Sequence, residues 1–126
     1  KALNKLGVLY ARYGMYPEAK AQFEDASQKG KDASPLVNLG NLAYIGGKYQ
    51  EAFNYYQKAL GRKADSPIAL LGLVRAGTEL GKADETARAL ARLKTVAPAV
   101  AASLPEAAEA RAASADKEVS EWPDAD

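Results

Sequence analysis

Residues 51–60 read EAFNYYQKAL, and residues 18–27 read EAKAQFEDAS. Both stretches begin with Glu-Ala, carry an aromatic residue four positions after that Ala, and have a second Ala three positions later. Self-similarity at a period in this range is typical of stacked helical hairpins, so the sequence predicts a helical repeat protein. Further matches at the same shift of 33 residues pair Leu6-Gly7 with Leu39-Gly40, Gly14 with Gly47, and Tyr16 with Tyr49.

A third copy follows the second at a shift of 34 residues. It is degenerate, because Gly81, Glu85 and Leu90 keep the register while Thr86 and Leu93 replace the two alanines of the second copy. The sequence therefore predicts an all-α fold of about three helix-turn-helix repeats. Their expected ranges are about 1–32, 33–66 and 67–98.

Serine, proline and glycine mark the predicted helix ends. Ser34 and Ser66 each precede a proline at the start of an apolar run, which predicts an N-cap followed by proline at the first helical position. Gly14, Gly47 and Gly81 fall where the chain reverses between helices, and such turns favour residues that tolerate positive φ. The helices are expected near 1–13, 17–29, 35–46, 49–61, 67–80 and 83–96.

The Leu-Gly-x2-Tyr motif carries a family resemblance. It is intact in LGVLY at 6–10, and LGNLAY at 39–44 repeats it with Ala43 at the tyrosine position. With the Ala, aromatic, Ala and Pro positions that follow, the pattern resembles the tetratricopeptide repeat family, whose helix-turn-helix unit has about 34 residues. The resemblance covers about residues 1–98 and is weakest in the third copy, where Gly77 replaces the tyrosine. It implies a right-handed α-solenoid with a concave groove.

The resemblance also implies where a partner binds, because the groove of this family is lined mainly by the first helix of each repeat. Asn side chains can hold an extended peptide by donating and accepting at once, and Arg or Lys suits carboxylates. The chain is thus expected to be an interaction module for a peptide or protein segment. Ile68 and Gly72 stand where a clamp for chaperone tails needs basic residues, so such tails are not predicted ligands. The candidate groove residues are Lys5, Arg12, Asn38, Asn41, Tyr44 and Arg75, with Asn4, Val8, Val37, Leu71 and Thr78 at further groove positions.

Small residues are expected where paired helices cross closely. Gly7 and Gly40 let the backbones approach, while large neighbours such as Leu6 fill the spaces beside them. Most of the aromatic stripe is therefore assigned to packing and not to ligand binding. The aromatic residues expected in the core are Tyr16, Phe23, Tyr49 and Tyr56.

The segment after Pro98 predicts one more helix. Ser103 and Glu106 form a capping box, and an apolar stripe runs from Leu104 to Trp122. A solenoid needs its last apolar face covered, so region 99–122 is expected to cap the third repeat, with a disordered tail at 123–126. An alternative remains open, because residues 1–98 hold 15 basic and 9 acidic side chains and residues 99–126 hold 2 and 7. This acidic segment could instead occupy a basic groove.

The composition removes most catalytic chemistry. The chain has no His and no Cys, which excludes the usual zinc ligands and the Ser-His and Cys-His pairs. No phosphate-binding loop and no continuous basic stripe appear, so we expect no enzyme activity, no cofactor, no metal and no nucleic-acid partner. No apolar run is long enough to insert into a membrane. The sequence carries no indication of the compartment.

Two functional hypotheses remain. The first is the peptide-binding module described above. The second is a structural unit that stacks on further repeats or associates with a second copy. The chain starts at Lys1 already in helical rhythm, with no capping residue before it, so we expect a fragment of a longer protein.

Overall fold

A computed structural model describes residues 1–104 and 122–123, and among them it contains seven α-helices and no strand. This confirms the predicted all-α class. The first six helices begin and end within one residue of the positions predicted from the sequence. The helices are α1 (Ala2–Arg12), α2 (Tyr16–Lys29), α3 (Ser34–Ile45), α4 (Tyr49–Arg62), α5 (Pro67–Leu80), α6 (Ala83–Val96) and α7 (Pro98–Ala102).

Capping and turn residues explain these boundaries. The hydroxyl oxygen of Ser66 accepts from the backbone N–H of Ala69 at 3.3 Å, as expected of an N-cap. The prediction that Ser34 is an N-cap is wrong, because Ser34 is the first residue of α3 and Ala33 is the N-cap. Each hairpin turn has a glycine at positive φ, which costs glycine no steric strain. These are Gly14, Gly47 and Gly81, at φ 73°, 76° and 72°.

Consecutive helices pack against one another, and the first helices of neighbouring repeats also meet. α1 contacts α3, and α3 contacts α5, so these three helices lie side by side. The short helix α7, which the sequence did not predict, packs on α6 and α5. The described half-buried residues Val100 and Leu104 thereby cover part of the core at the end of the third repeat. The rest of the predicted capping helix, 105–121, lies outside the described residues.

Glycines bring helices of the same repeat close together. A Cβ atom on Gly7 would lie 2.5 Å from the Phe23 ring, and one on Gly40 would lie 2.6 Å from the Tyr56 ring. Tyr56 also meets Gly72 of α5, where a Cβ atom would lie 2.5 Å from the ring. The prediction that small residues allow close approach is therefore confirmed.

The core itself is mostly as predicted. Phe23 and Tyr56 are buried, with Leu93 fully buried in the third repeat. Two expectations are wrong, because Tyr16 is 41% exposed and Leu6 is 36% exposed. Leu39, the counterpart of Leu6, lines the same cavity as Pro17 of α2, and no described helix takes that place beside Leu6. Tyr16 lies at the border of that cavity.

Two arginines tie the second helix of a repeat to the loop that precedes that repeat. Arg62 of α4 donates to the carbonyls of Ser27 at 2.9 Å and Asp32 at 3.1 Å, at the end of α2 and in the loop after it. Arg92 of α6 donates through Nε to the Asp65 carboxylate at 2.8 Å, in the loop between α4 and α5. Free carbonyls at a helix C-terminus favour such cationic donors.

Candidate functional site

Two asparagines one repeat apart meet on the face formed by α1 and α3. Asn38 Nδ2 donates to Asn4 Oδ1 at 3.0 Å. Both side chains are buried, and Asn38 is 0% exposed. A buried polar group without a hydrogen bond is costly, so the pairing fixes both carboxamides.

The chain's own C-terminal segment lies on these asparagines. The carbonyl oxygen of Pro123 accepts from Asn38 Nδ2 at 2.9 Å and from Asn4 Nδ2 at 3.1 Å. Trp122 is only 5% exposed, and its ring centroid lies 6.2 Å from that of Phe23 at an interplanar angle of 54°. Tilted pairs at this separation are favourable, so Trp122 is an aromatic anchor beside the two asparagines. We call Asn4, Asn38 and Phe23 the asparagine site.

Only the nitrogen of the Asn38 carboxamide has hydrogen-bond partners among the described residues. Its nitrogen makes both bonds given above, whereas Oδ1 is buried and has no donor within 1–104 and 122–123. The indole N–H of Trp122 likewise has no acceptor in the described part of the chain. Between the described residues, the anchor is therefore held by ring packing, and both asparagines bond to the carbonyl of Pro123.

A second group of predicted residues meets farther along, where α3, α4 and α5 adjoin. The Arg75 guanidinium carbon lies 4.7 Å from the Tyr44 ring centroid, and the Tyr44 and Tyr49 rings are 5.2 Å apart. Burial raises the pKa of the Tyr44 hydroxyl, while the positive charge of Arg75 acts in the opposite direction. Stacking on Tyr44 orients the cation of Arg75.

The remaining predicted site residues are divided between surface and core. Lys5 and Arg12 are exposed on α1. Asn41 is 6% exposed, and its Oδ1 accepts from the Tyr56 hydroxyl at 2.6 Å, inside the second repeat. The structure thus brings Asn38 together with Asn4, and Tyr44 with Arg75, and it engages Asn41 in packing contacts. Of the further groove positions, Val8 and Val37 are buried, Leu71 is half-buried and Thr78 is exposed.

The sequence left open that the acidic segment 99–126 occupies the groove, and the contact of Pro123 with Asn4 and Asn38 agrees with that alternative for residues 122–123. No pattern singled out Trp122 and Pro123 as the residues that make the contact. The leading prediction, with Trp122 at the end of a capping helix over the third repeat and Pro123 in a disordered tail, is wrong for these two residues, because both lie on the first two repeats. The contact joins residues 119 apart, so no local pattern reports it. The available signal was compositional, because Trp122 is the single tryptophan and lies in the acidic segment.

A separate cavity of about 490 Å³ opens between α2, α3 and α4. Pro17, Leu39 and Leu42 give it apolar walls, and Lys20, Lys48 and Glu51 line it as well. Burial raises the pKa of Tyr55, which also borders the cavity. Its volume lies in the range of small-molecule sites, and sequence reasoning did not predict it.

Neither models of known families nor curated proteins match the sequence. Within residues 1–104 and 122–123, no three acidic side chains come together in a way that suits a metal ion. Among those same residues, no helix combines the length and the apolar character that crossing a bilayer requires.

Proposed function

We propose that the chain is a right-handed solenoid of three tetratricopeptide-like repeats, and that it acts as a protein-protein interaction module. The binding surface is the face formed by α1, α3 and α5, the first helices of the repeats. The ligand is a peptide or an extended segment of a partner protein. The proposal assigns no catalytic group and no cofactor.

The observation that carries the proposal is the contact with Pro123. A backbone carbonyl of a segment 119 residues away in sequence accepts from Asn4, and it also accepts from Asn38 of the next repeat. Hydrogen bonds to backbone do not depend on the identity of a ligand side chain, so a segment of another chain can be held in the same way. The buried ring of Trp122 beside Phe23 provides the apolar part of such an interaction.

Selection from a random peptide library tests the proposal. The bait is the full chain carrying Trp122→Ala, which removes the internal anchor. The matched counter-selection uses the same chain with Asn38→Leu added, because leucine replaces the buried carboxamide with a similar volume. Circular dichroism confirms that both baits are helical.

We expect enriched peptides that bind the first bait at least about tenfold more tightly than the second, a difference of about 1.4 kcal/mol. A selection that enriches nothing contradicts the proposal. Peptides that bind both baits equally would place binding away from the asparagine site.

A second candidate function is stacking on further repeats or on a second copy, and the exposure of α1 favours it. Leu6 is 36% exposed, whereas its counterpart Leu39 in the second repeat is 2% exposed. Leu9 of α1 and Tyr13, the residue that follows the end of α1, are 46% and 76% exposed. These three residues form the outer α1 face, which has the spacing of a helix-packing surface.

Sedimentation at increasing protein concentration separates the two candidates. A stacking unit associates in the micromolar range, and Leu9→Lys on the outer α1 face abolishes that association. Ile68→Lys is the matched control, because Ile68 is 42% exposed on α5. A chain that stays monomeric throughout contradicts self-association and leaves the peptide-binding proposal in place.

A further inference from the structure

The Asn38 carboxamide indicates which ligand backbone the asparagine site prefers. A carbonyl oxygen only accepts hydrogen bonds, so Asn4 and Asn38 must both present nitrogen to Pro123. This leaves Asn38 Oδ1 as an acceptor on a fully buried side chain, with no donor from the part of the chain that the structure describes. The nitrogen of the same carboxamide holds the carbonyl of the segment, so the Oδ1 beside it is complementary to a ligand N–H.

Proline is the one residue that cannot supply that N–H. In an extended segment, the N–H and C=O of one residue point to the same side, as they do in a hydrogen-bonded strand pair. A single Asn carboxamide can therefore bond to both groups of one residue, by donating and accepting at once. Pro123 offers only its carbonyl, so the chain's own segment makes half of the possible interaction.

The site beside Phe23 does not require tryptophan in particular. Trp122 packs its ring on Phe23, but its indole N–H has no acceptor within the described residues. Ring area thus contributes the contact, and another aromatic residue can provide that area. The segment that fits has an aromatic residue followed directly by a residue with a free backbone N–H.

We propose that the asparagine site selects peptide segments of the form aromatic–X, where X is any residue except proline, and that such a segment displaces Trp122–Pro123. The internal segment is then a weak occupant that keeps the apolar anchor site covered until a better ligand arrives. This inference rests on the proposed function, and it adds the chemical class of the ligand and the state of the site before binding.

Matched synthetic peptides test the role of the N–H. The parent peptide has the sequence of residues 118–126, EVSEWPDAD. The second peptide has alanine at the proline position, and the third has N-methylalanine there, which removes the N–H without the proline ring. The fourth has alanine in place of the tryptophan. Titration calorimetry measures all four against the full chain carrying Trp122→Ala.

We expect the alanine peptide to bind about three- to tenfold more tightly than the parent, the usual effect of one added hydrogen bond. The N-methylalanine peptide binds like the parent, because it lacks the same donor. The peptide without tryptophan shows no measurable binding.

Displacement in the unmodified sequence provides an independent measurement. Full chain labelled with 5-fluorotryptophan reports the docking of Trp122 by its fluorine resonance, since it is the only tryptophan. The alanine peptide shifts this resonance at a concentration about three- to tenfold lower than the parent peptide does.

The outcomes distinguish the two proposals. Equal affinity for the parent, alanine and N-methylalanine peptides overturns this inference and leaves the peptide-binding function standing. Binding that survives loss of the tryptophan also overturns it. If none of the four peptides binds and the random library also enriches nothing, the proposed function fails.

Discussion

The Tyr56 hydroxyl donates a 2.6 Å hydrogen bond to Oδ1 of Asn41, joining α4 to α3 inside the second repeat. Both residues are buried, so the bond is shielded from water. Asn41 was predicted to line the groove, and its contact with Tyr56 gives it a part in stability as well. Tyr56 therefore holds α3 and α4 together by ring packing and also by its hydroxyl group.

Replacing Tyr56 by Phe tests this bond. The change keeps the ring but leaves the Asn41 acceptor buried without this donor, so we expect a loss of about 1–3 kcal/mol in the free energy of unfolding. Urea unfolding measures the loss. Tyr13→Phe is the control, because Tyr13 is 76% exposed, and its expected effect is within about 0.5 kcal/mol. A loss for Tyr56→Phe no larger than that of the control would contradict the structural role.

Glycine substitutions test the close approach of helices around Tyr56. Gly40→Ala and Gly72→Ala each place a Cβ within 2.6 Å of the Tyr56 ring, so we expect each to lower the free energy of unfolding. Overpacking of this kind costs about 1–3 kcal/mol, and the better helix propensity of alanine offsets at most about 1 kcal/mol. Gly61→Ala in α4 is the matched control, since its Cβ meets nothing within 4 Å. The control should be neutral or slightly stabilising, and thermal denaturation of the three variants gives the comparison.

Trp122 reports directly on the docked segment, because it is the single tryptophan in the chain. We expect its fluorescence to be poorly quenched by acrylamide, since 5% of the residue is exposed. Added salt should change this protection little, because ring packing and bonds to a carbonyl are screened less than contacts between exposed charges. Asn4→Ala should increase quenching by removing one bond to Pro123. Quenching equal to that of free tryptophan at every salt concentration would contradict docking.

Alkaline pH should lower stability through Tyr44. Burial raises the pKa of this hydroxyl in the folded chain, so the unfolded chain loses the proton first as the pH rises above about 10. The unfolded state then binds fewer protons than the folded state, and the free energy of unfolding falls with rising pH. Tyr44→Phe should lessen this decline between about pH 9 and pH 11, compared with Tyr13→Phe. Urea unfolding of both variants across this pH range measures the decline. An identical dependence of the free energy of unfolding on pH in the two variants would contradict the raised pKa of Tyr44.

The helix pattern could be predicted from sequence because its determinants are local. Ser66, Gly14 and Gly81 act within one turn of the helix end, and the structure has them as expected. The exposure of Tyr16 could not be predicted in this way, because burial depends on which helices lie beside it. Its counterpart Tyr49 is half-buried and packs on the Tyr44 ring at a centroid distance of 5.2 Å, whereas the position of Tyr44 in the first repeat holds Ala11.

The candidate site could likewise be predicted only in part. Asn38 and Arg75 follow from the family pattern, which places them on the first helices of their repeats. The pairing of Asn38 with Asn4 depends on how neighbouring repeats stack, and the contact with Pro123 depends on the path of the chain after α7. Neither relationship has a period or a spacing that the sequence displays.

The two arginine contacts bear on how the repeats unfold. Arg62 lies at the end of the second repeat, yet its partners include the carbonyl of Ser27 near the end of the first. Arg92 of the third repeat is bound to Asp65 just after the second. In stacked repeats, stability is approximately a sum of terms within repeats and terms between neighbours, and these contacts belong to the second kind. The buried contact of Tyr56 with Gly72 of the third repeat acts in the same way. Unfolding of one repeat removes partners from the next, so we expect the three to lose structure in one cooperative transition.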